Sequence, residues 1–180
     1  MKQRQIALFR GINVGTAKRV AMADLRVLFE RLGFTAVRTL LNSGNVVYTS
    51  DGVRPEEAKA VIERGIREVL GVSSLATVLT AAELDAILAA APLAGIATNP
   101  SRHQVAFLAD KSDTAKLAPV IEKDWEPEAL AVRGRAAYLW CPDGLAGSEL
   151  MKAVGKALGT AVTVRTWATA LKIQAAAHAD

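Results

Sequence analysis

The chain has 180 residues, of which 51% are hydrophobic and 22% charged, with a mean hydropathy of +0.22. That length suffices for one domain or two small ones, and no run approaches the ~18 apolar residues of a membrane span. The net charge of +4 is uneven: residues 1–26 carry Lys2, Arg4, Arg10, Lys18, Arg19 and Arg26 against Asp24, or +5, and the remainder carries −1. A basic front on a near-neutral body attracts phosphates or acidic surfaces, although charge runs commonly serve only to solvate a face.

Arg4 to Phe9 reads as a strand. Ile6 and Leu8 fall on one side and Ala7 and Phe9 on the other, so both faces are apolar and the strand is central. Met22, Leu25, Phe29 and Leu32 recur at helical spacing, and Gly33 stands at the C-terminal cap position. Val37–Leu41 and Val46–Ser50 form two strands around the turn Asn42-Ser43-Gly44-Asn45. Pro55 opens a helix with the stripe Val61, Ile62, Ile66, Val69 and Leu70, which Gly71 ends. Ala76–Leu79 completes a βαββαβ order, the split-βαβ arrangement of ferredoxin-like folds.

Thr80 and Glu83 form a capping box for a connecting helix through about Ala90, followed by the loop-forming stretch PLAGIATNPSR. The order then repeats. Val105–Ala109 is a strand and Asp113–Lys123 a helix with an irregularity at Pro119. Ala129–Arg133 and Ala136–Cys141 form a hairpin around Gly134, Ser148–Leu158 is a helix, and Val162–Arg165 is a strand. A last helix begins near Thr166. The predicted class is α+β: two ferredoxin-like units, residues 1–80 and 103–180, joined by a connecting helix and linker over 81–102, with a C-terminal helix on the second unit.

The segments RGINVG, VAMADL and NSGNVVY resemble the signature of a bacterial family, the domain of unknown function 1697, and TVRTWATALKI over residues 163–173 is similar to that family's ending. The matching positions are Arg10, Gly11, Asn13, Gly15, Ser43, Gly44, Asn45, Arg165, Trp167, Thr169 and Lys172. The chain departs from the pattern at Thr16, where a second glycine is usual, and at Thr166 and Ala168, where asparagines are usual. The resemblance implies two ferredoxin-like units and carries no defined activity, cofactor or substrate.

Gly11 and Gly15 lie on a strand-to-helix loop with Lys18 and Arg19; such a loop cradles an anion or simply needs glycine for its turns. It is neither GxGxxG nor GxxxxGK[ST]. Asn13, Asn42 and Asn45 suit either base edges or loop-to-loop bridges, and local bridging is the commoner use. Arg10, at the end of an apolar strand, points to a ligand or to a buried carboxylate. The ring-bearing RNA-recognition motif is absent, and aromatics are 5% of the chain, too few for both a stacking platform and a core. No HExxH, GxSxG or metal-spaced cluster occurs, so no metal or cofactor is expected. Cys141 with His103 is the one conceivable thiol–imidazole pair, against the usual reading of cysteine as a small buried hydrophobe. The acidic run Glu122, Asp124, Glu126, Glu128 reads as a solvated loop, and Trp125, Trp140 and Trp167 as anchors of a core or of a seam between the halves. Trp167 beside Arg165 also has the option of stacking on a flat ligand.

The leading expectation is a soluble cytoplasmic ligand-binding protein. Arg10, Asn13, Lys18, Arg19, Asn42, Asn45 and Arg165 would hold a phosphate-bearing small molecule or a nucleic-acid backbone. The alternatives are an enzyme of unrecognised type without cofactor, with Arg10 and Asn13 polarising its substrate, and an assembly or adaptor protein whose covered sheet face is an interface. The cover over that face is expected from the second unit or from a second chain, as in a homodimer. The lone Cys141 fits a reducing compartment, and no membrane partner is expected.

Overall fold

The computed structural model describes residues 1–15 and 19–179. The elements in chain order are β1 (Lys2–Phe9), α1 (Met22–Arg31), β2 (Thr35–Leu40), β3 (Asn45–Asp51), α2 (Pro55–Leu70), β4 (Ala76–Thr80) and α3 (Ala81–Ala90). They continue with β5 (His103–Leu108), a 3₁₀ segment (Lys111–Leu117), α4 (Ala118–Ile121), β6 (Ala129–Arg133), β7 (Ala136–Trp140), α5 (Glu149–Leu158), β8 (Val162–Thr166) and α6 (Trp167–His178). Two four-stranded antiparallel sheets result, ordered β2-β3-β1-β4 and β6-β7-β5-β8. Each follows a βαββαβ-like path, as the element order in the sequence requires. By contact density the chain divides into Met1–Leu84 with Ile173–Asp180, and Asp85–Lys172. The divisions fall inside α3 and α6.

In the first unit β1 is central, paired to β3 on one side and β4 on the other. Ile6, Ala7, Leu8 and Phe9 are all essentially inaccessible, so both sheet faces are buried along this strand. The helix-side face carries Ala7, Phe9, Val46, Tyr48, Ala76 and Val78 against Leu25, Leu28 and Phe29 of α1 and Ile62 and Ile66 of α2. Phe29 sits at its centre, edge-on to Phe9 at 6.2 Å and to Tyr48 at 5.1 Å between ring centroids. Tyr48 donates its buried hydroxyl to Gln5 Oε1 (3.0 Å), and Gln5 Nε2 donates to the Val53 carbonyl (2.8 Å), so this pair adds no unsatisfied group to the core. Gly65 in mid-α2 has a packing reason. A Cβ there would lie 3.2 Å from Leu28 Cδ1 and 3.3 Å from Leu32 Cδ1, where α1 crosses α2.

The end of α6 belongs to this unit. Ile173 and Ala177 are buried, and Arg4 donates from Nε to the Ala177 carbonyl (3.3 Å) and from Nη2 to that of Ala176 (3.5 Å). A guanidinium at a helix C-terminus satisfies orphan carbonyls and opposes the helix dipole. The same side chain reaches the Ala36 carbonyl, at the β2 irregularity, and Thr49 Oγ1. Arg4, one of the six cations of the basic front, is therefore committed to the fold.

In the second unit β5 is buried along its whole length. Its helix-side core joins Ala106, Leu108, Ala137 and Leu139 to Leu117, Val120, Leu150, Val154 and Leu158. The helix expected over Asp113–Lys123 is instead a 3₁₀ segment followed by the four residues of α4. Pro119 has no N–H to donate and its ring crowds the preceding turn, so it is accommodated only near the start of a new helix. Glu128 departs from the solvated reading of its acidic run: its carboxylate accepts from the Leu150 N–H (3.1 Å) and from the Ser148 hydroxyl at the N-terminus of α5. No helix among the described residues is long and apolar enough to cross a membrane.

Gly44 is the most closely packed of the first unit's glycines. Its φ is +78°, its carbonyl accepts from Phe9 N–H (2.9 Å), and a Cβ would overlap Ile12 Cδ1 and touch Phe9 Cβ at 3.0 Å. Gly44→Ala is expected to destabilise the protein by about 3 kcal/mol, combining left-handed strain with overpacking. Urea denaturation of the two proteins checks this.

Candidate functional site

At the corner of the first unit, the loop leaving β1 meets the β2–β3 turn. Gly11, Asn13 and Gly15 all have positive φ, at +66°, +56° and +62°. Among the described residues no atom stands within 4 Å of a Cβ built on Gly11 or Gly15, and their positive φ is the conformation that glycine adopts freely. Asn13 tolerates the same region, and its side chain then does the bridging. Its Nδ2 donates to the Val20 carbonyl (2.9 Å) and to the Asn42 carbonyl (2.8 Å), and its Oδ1 accepts from Val20 N–H (2.8 Å). One carboxamide thus closes the loop on itself and ties it to the hairpin turn.

Beside this bridge lies an open depression of about 320 Å³ lined by Asn13, Arg19, Val20, Ala21, Met22 and Asn42. Its floor is the N-terminus of α1. Ala21 occupies the N-cap and supplies no side-chain acceptor to the first-turn N–H groups. Three of the other long helices are capped: Thr80 accepts from Glu83 N–H before α3, Ser148 from Met151 N–H before α5, and Thr166 from Thr169 N–H in α6; at α2, Glu57 accepts only from the Arg54 N–H ahead of a first turn that opens on Pro55. Arg19 is exposed and, among the described residues, makes no hydrogen bond or ion pair. Asp24 is exposed in the first turn of α1, where its charge competes for the same positive end. Val14 and Leu41, on the two loops of the corner, are 69% and 48% exposed.

The expected site residues separate. Asn13, Arg19 and Asn42 share the depression. Asn45 is fully buried and donates to the Leu40 carbonyl (2.8 Å) and Ser43 Oγ (3.0 Å), so it builds the hairpin. Arg10 is half-buried where β1 ends; its N–H donates to the Leu75 carbonyl (2.9 Å) and its carbonyl accepts from Ser74 Oγ (2.8 Å). Lys18 lies outside the described residues. Arg26, another cation of the front, pairs with Glu30 at 2.9 Å. Arg165 belongs to the second unit, on β8 opposite Val105, where burial lowers its pKa to about 10 and leaves it charged at neutral pH. The uncapped start of α1 was missed in the sequence, although the signal was there: VAMAD carries no Ser, Thr, Asn or Asp ahead of Met22.

The thiol and imidazole of the second unit are not assembled for nucleophilic chemistry. Cys141 is a buried free thiol in the core under α5, its Sγ 3.6 Å from Ser148 Oγ, and burial pushes its pKa up, away from a reactive thiolate. His103 stacks on Trp167, with ring centroids 4.5 Å apart and planes 9° from parallel. It is 3% exposed and its Nε2 has no hydrogen-bond partner among the described residues. Among the described residues no cluster of three or more His, Cys, Asp or Glu has the arrangement of a metal site.

A family model described as "Protein of unknown function (DUF1697)" matches residues 1–138. The chain belongs to this family. Membership covers the corner and the hairpin turn and stops before α5 and α6. A solved structure, that of the conserved bacterial protein SP0830 from Streptococcus pneumoniae, is similar over 98% of this chain and 99% of its own. The TM-score is 0.81 and the identity 23%, a likeness of fold. None of the curated proteins matches the chain.

Two outcomes follow from this geometry. Asn13→Ala removes three hydrogen bonds and leaves two backbone groups of Val20 to find other partners, at an expected cost of about 2 kcal/mol; differential scanning calorimetry reads it. Burial holds the His103 pKa below its ordinary 6.5, so at acid pH the unfolded chain binds a proton that the folded one refuses. Stability then falls as pH drops from about 7 to about 5. His103→Leu is expected to flatten that slope in urea melts recorded across the range.

Proposed function

We propose that this protein binds a phosphate-bearing molecule at the corner of its first unit. The observation that carries this reading is the depression over the N-terminus of α1, where Ala21 provides no side-chain cap, with Arg19 and Asn42 among its lining residues. Backbone N–H groups without a side-chain cap and the positive end of a helix dipole suit an oxyanion, and a guanidinium suits it further.

Magnitudes bound the ligand. A helix N-terminus contributes about 0.3–1 kcal/mol and a charge-assisted hydrogen bond about 1.5–3 kcal/mol. A lone phosphate would therefore be held at about millimolar strength at best. Useful affinity needs a larger molecule whose remainder covers Val14 and Leu41, the exposed apolar side chains of the same loops. A phosphorylated small molecule meets that need, as does a nucleic-acid backbone with its sugars. We further read the protein as cytoplasmic, in keeping with a buried free thiol at Cys141.

Retention on phosphocellulose tests the proposal. Arg19→Glu is expected to elute at distinctly lower salt than a charge-matched Lys111→Glu variant, and Asp24→Asn at higher salt than the unmodified protein. Co-elution of the Arg19 and Lys111 variants would overturn it.

A further inference from the structure

A second basin lies on the surface of the second unit, and none of the residues discussed above as a ligand contact lines it. It is an open depression of about 350 Å³ lined by Lys123, Trp125, Glu149, Lys152, Ala153 and Lys156. That volume is at the lower end of the range for small-molecule sites. Trp125 is half-buried and held by its edge, since the indole N–H donates to the Val120 carbonyl (2.8 Å) and the ring packs on the core under α5. Lys123, two residues earlier, places its ammonium 5.8 Å from the centre of that ring. Lys152 and Lys156, four apart on α5, stand one turn above the other on the same helix face. Ala153 between them is small enough to leave the space open.

The charge is lopsided. Three ammonium groups meet one carboxylate, and Glu149 is already engaged with Lys152 at 2.6 Å. Lys156 near the helix C-terminus has a local electrostatic reason. That reason does not explain why a third lysine on a separate segment and an anchored indole open onto the same space. The acidic side chains of the neighbouring turn, Glu122, Asp124 and Glu126, are exposed and do not line the basin.

The geometry points to a nucleotide-binding site in the second unit, taking a nucleoside monophosphate with its base on the Trp125 indole and its phosphate among Lys123, Lys152 and Lys156. The Lys123 ammonium now over the ring is long-stemmed and exposed, so it moves readily from the indole to a phosphate when a base takes its place. An indole offers a stacking face to any base, which makes this site sensitive to the presence of a ring and tolerant of its identity. Neither the α1 depression nor its arginine takes part, so this site stands or falls independently of the corner.

Titration of the full chain with AMP, followed by the three indole N–H resonances in nitrogen-15 spectra and by calorimetry, tests it. The expected result is a shift of the Trp125 resonance with saturable binding, at least tenfold weakened in Lys152→Glu/Lys156→Glu. A charge-matched Lys2→Glu/Arg31→Glu control is expected to bind as the unmodified protein does. Adenosine and ribose 5-phosphate, each carrying one half of the ligand, are expected to bind at least tenfold more weakly than AMP. Trp125→Leu is expected to abolish the preference for AMP over ribose 5-phosphate; should that variant not fold, the lysine pair still decides. An AMP affinity unchanged by the lysine substitutions, ribose 5-phosphate binding as well as AMP, or no AMP binding at millimolar concentration would each overturn the site. AMP binding that is lost in Arg19→Glu and kept in the lysine variant would also overturn it, while supporting the corner.

Discussion

The carboxamide of Asn13 holds the first unit's corner together. Its three hydrogen bonds satisfy both backbone groups of Val20 and the carbonyl of Asn42, groups that a crossover loop would otherwise leave to water. This fixes the chain at Val20, one residue before the N-cap of α1, and so fixes where the helix starts relative to the hairpin turn. Gly44 supplies the other half of the constraint, because only a residue without a Cβ lets the turn settle against Ile12 and Phe9. The depression is the space left between two loops that these contacts keep at a set distance.

The basic front resolves into cations with different tasks. Arg4 ends α6 and spans the β2 irregularity; Arg26 forms an i,i+4 pair on an exposed helix face, worth only a few tenths of a kcal/mol. Arg10 is half-buried at a strand end. Arg19 remains at the surface beside backbone donors that no side chain among the described residues caps. A charge count over residues 1–26 therefore overstates the positive surface available to a ligand, and the useful part of it is local.

The two units share a strand order and differ in how their helices are built. The first has two long helices that cross closely at Gly65. The second replaces the first of these with a 3₁₀ segment and a short helix, as Pro119 requires, and brings Trp125 to the surface where that segment ends. Three lysines and that indole line the basin beside α5.

Much of the architecture was legible in the chain. The apolar alternation of β1, the stripes of α1, α2 and α5, the Thr80–Glu83 capping box and the turn glycines each follow from periods and local bonds that neighbouring residues make among themselves, and they determine element type and order. The family follows from the same short segments. Side-chain destinations were not legible, because they depend on residues far apart in sequence: Arg4 finds carbonyls 172 and 173 positions away, and Glu128 finds an N–H 22 positions away. Asn13, Asn42 and Asn45 look alike in the sequence. Only the packed fold spends one on a loop bridge, buries another in its hairpin and leaves the third on the wall of a depression, because hydrogen-bond partners are assigned by three-dimensional proximity and not by residue type.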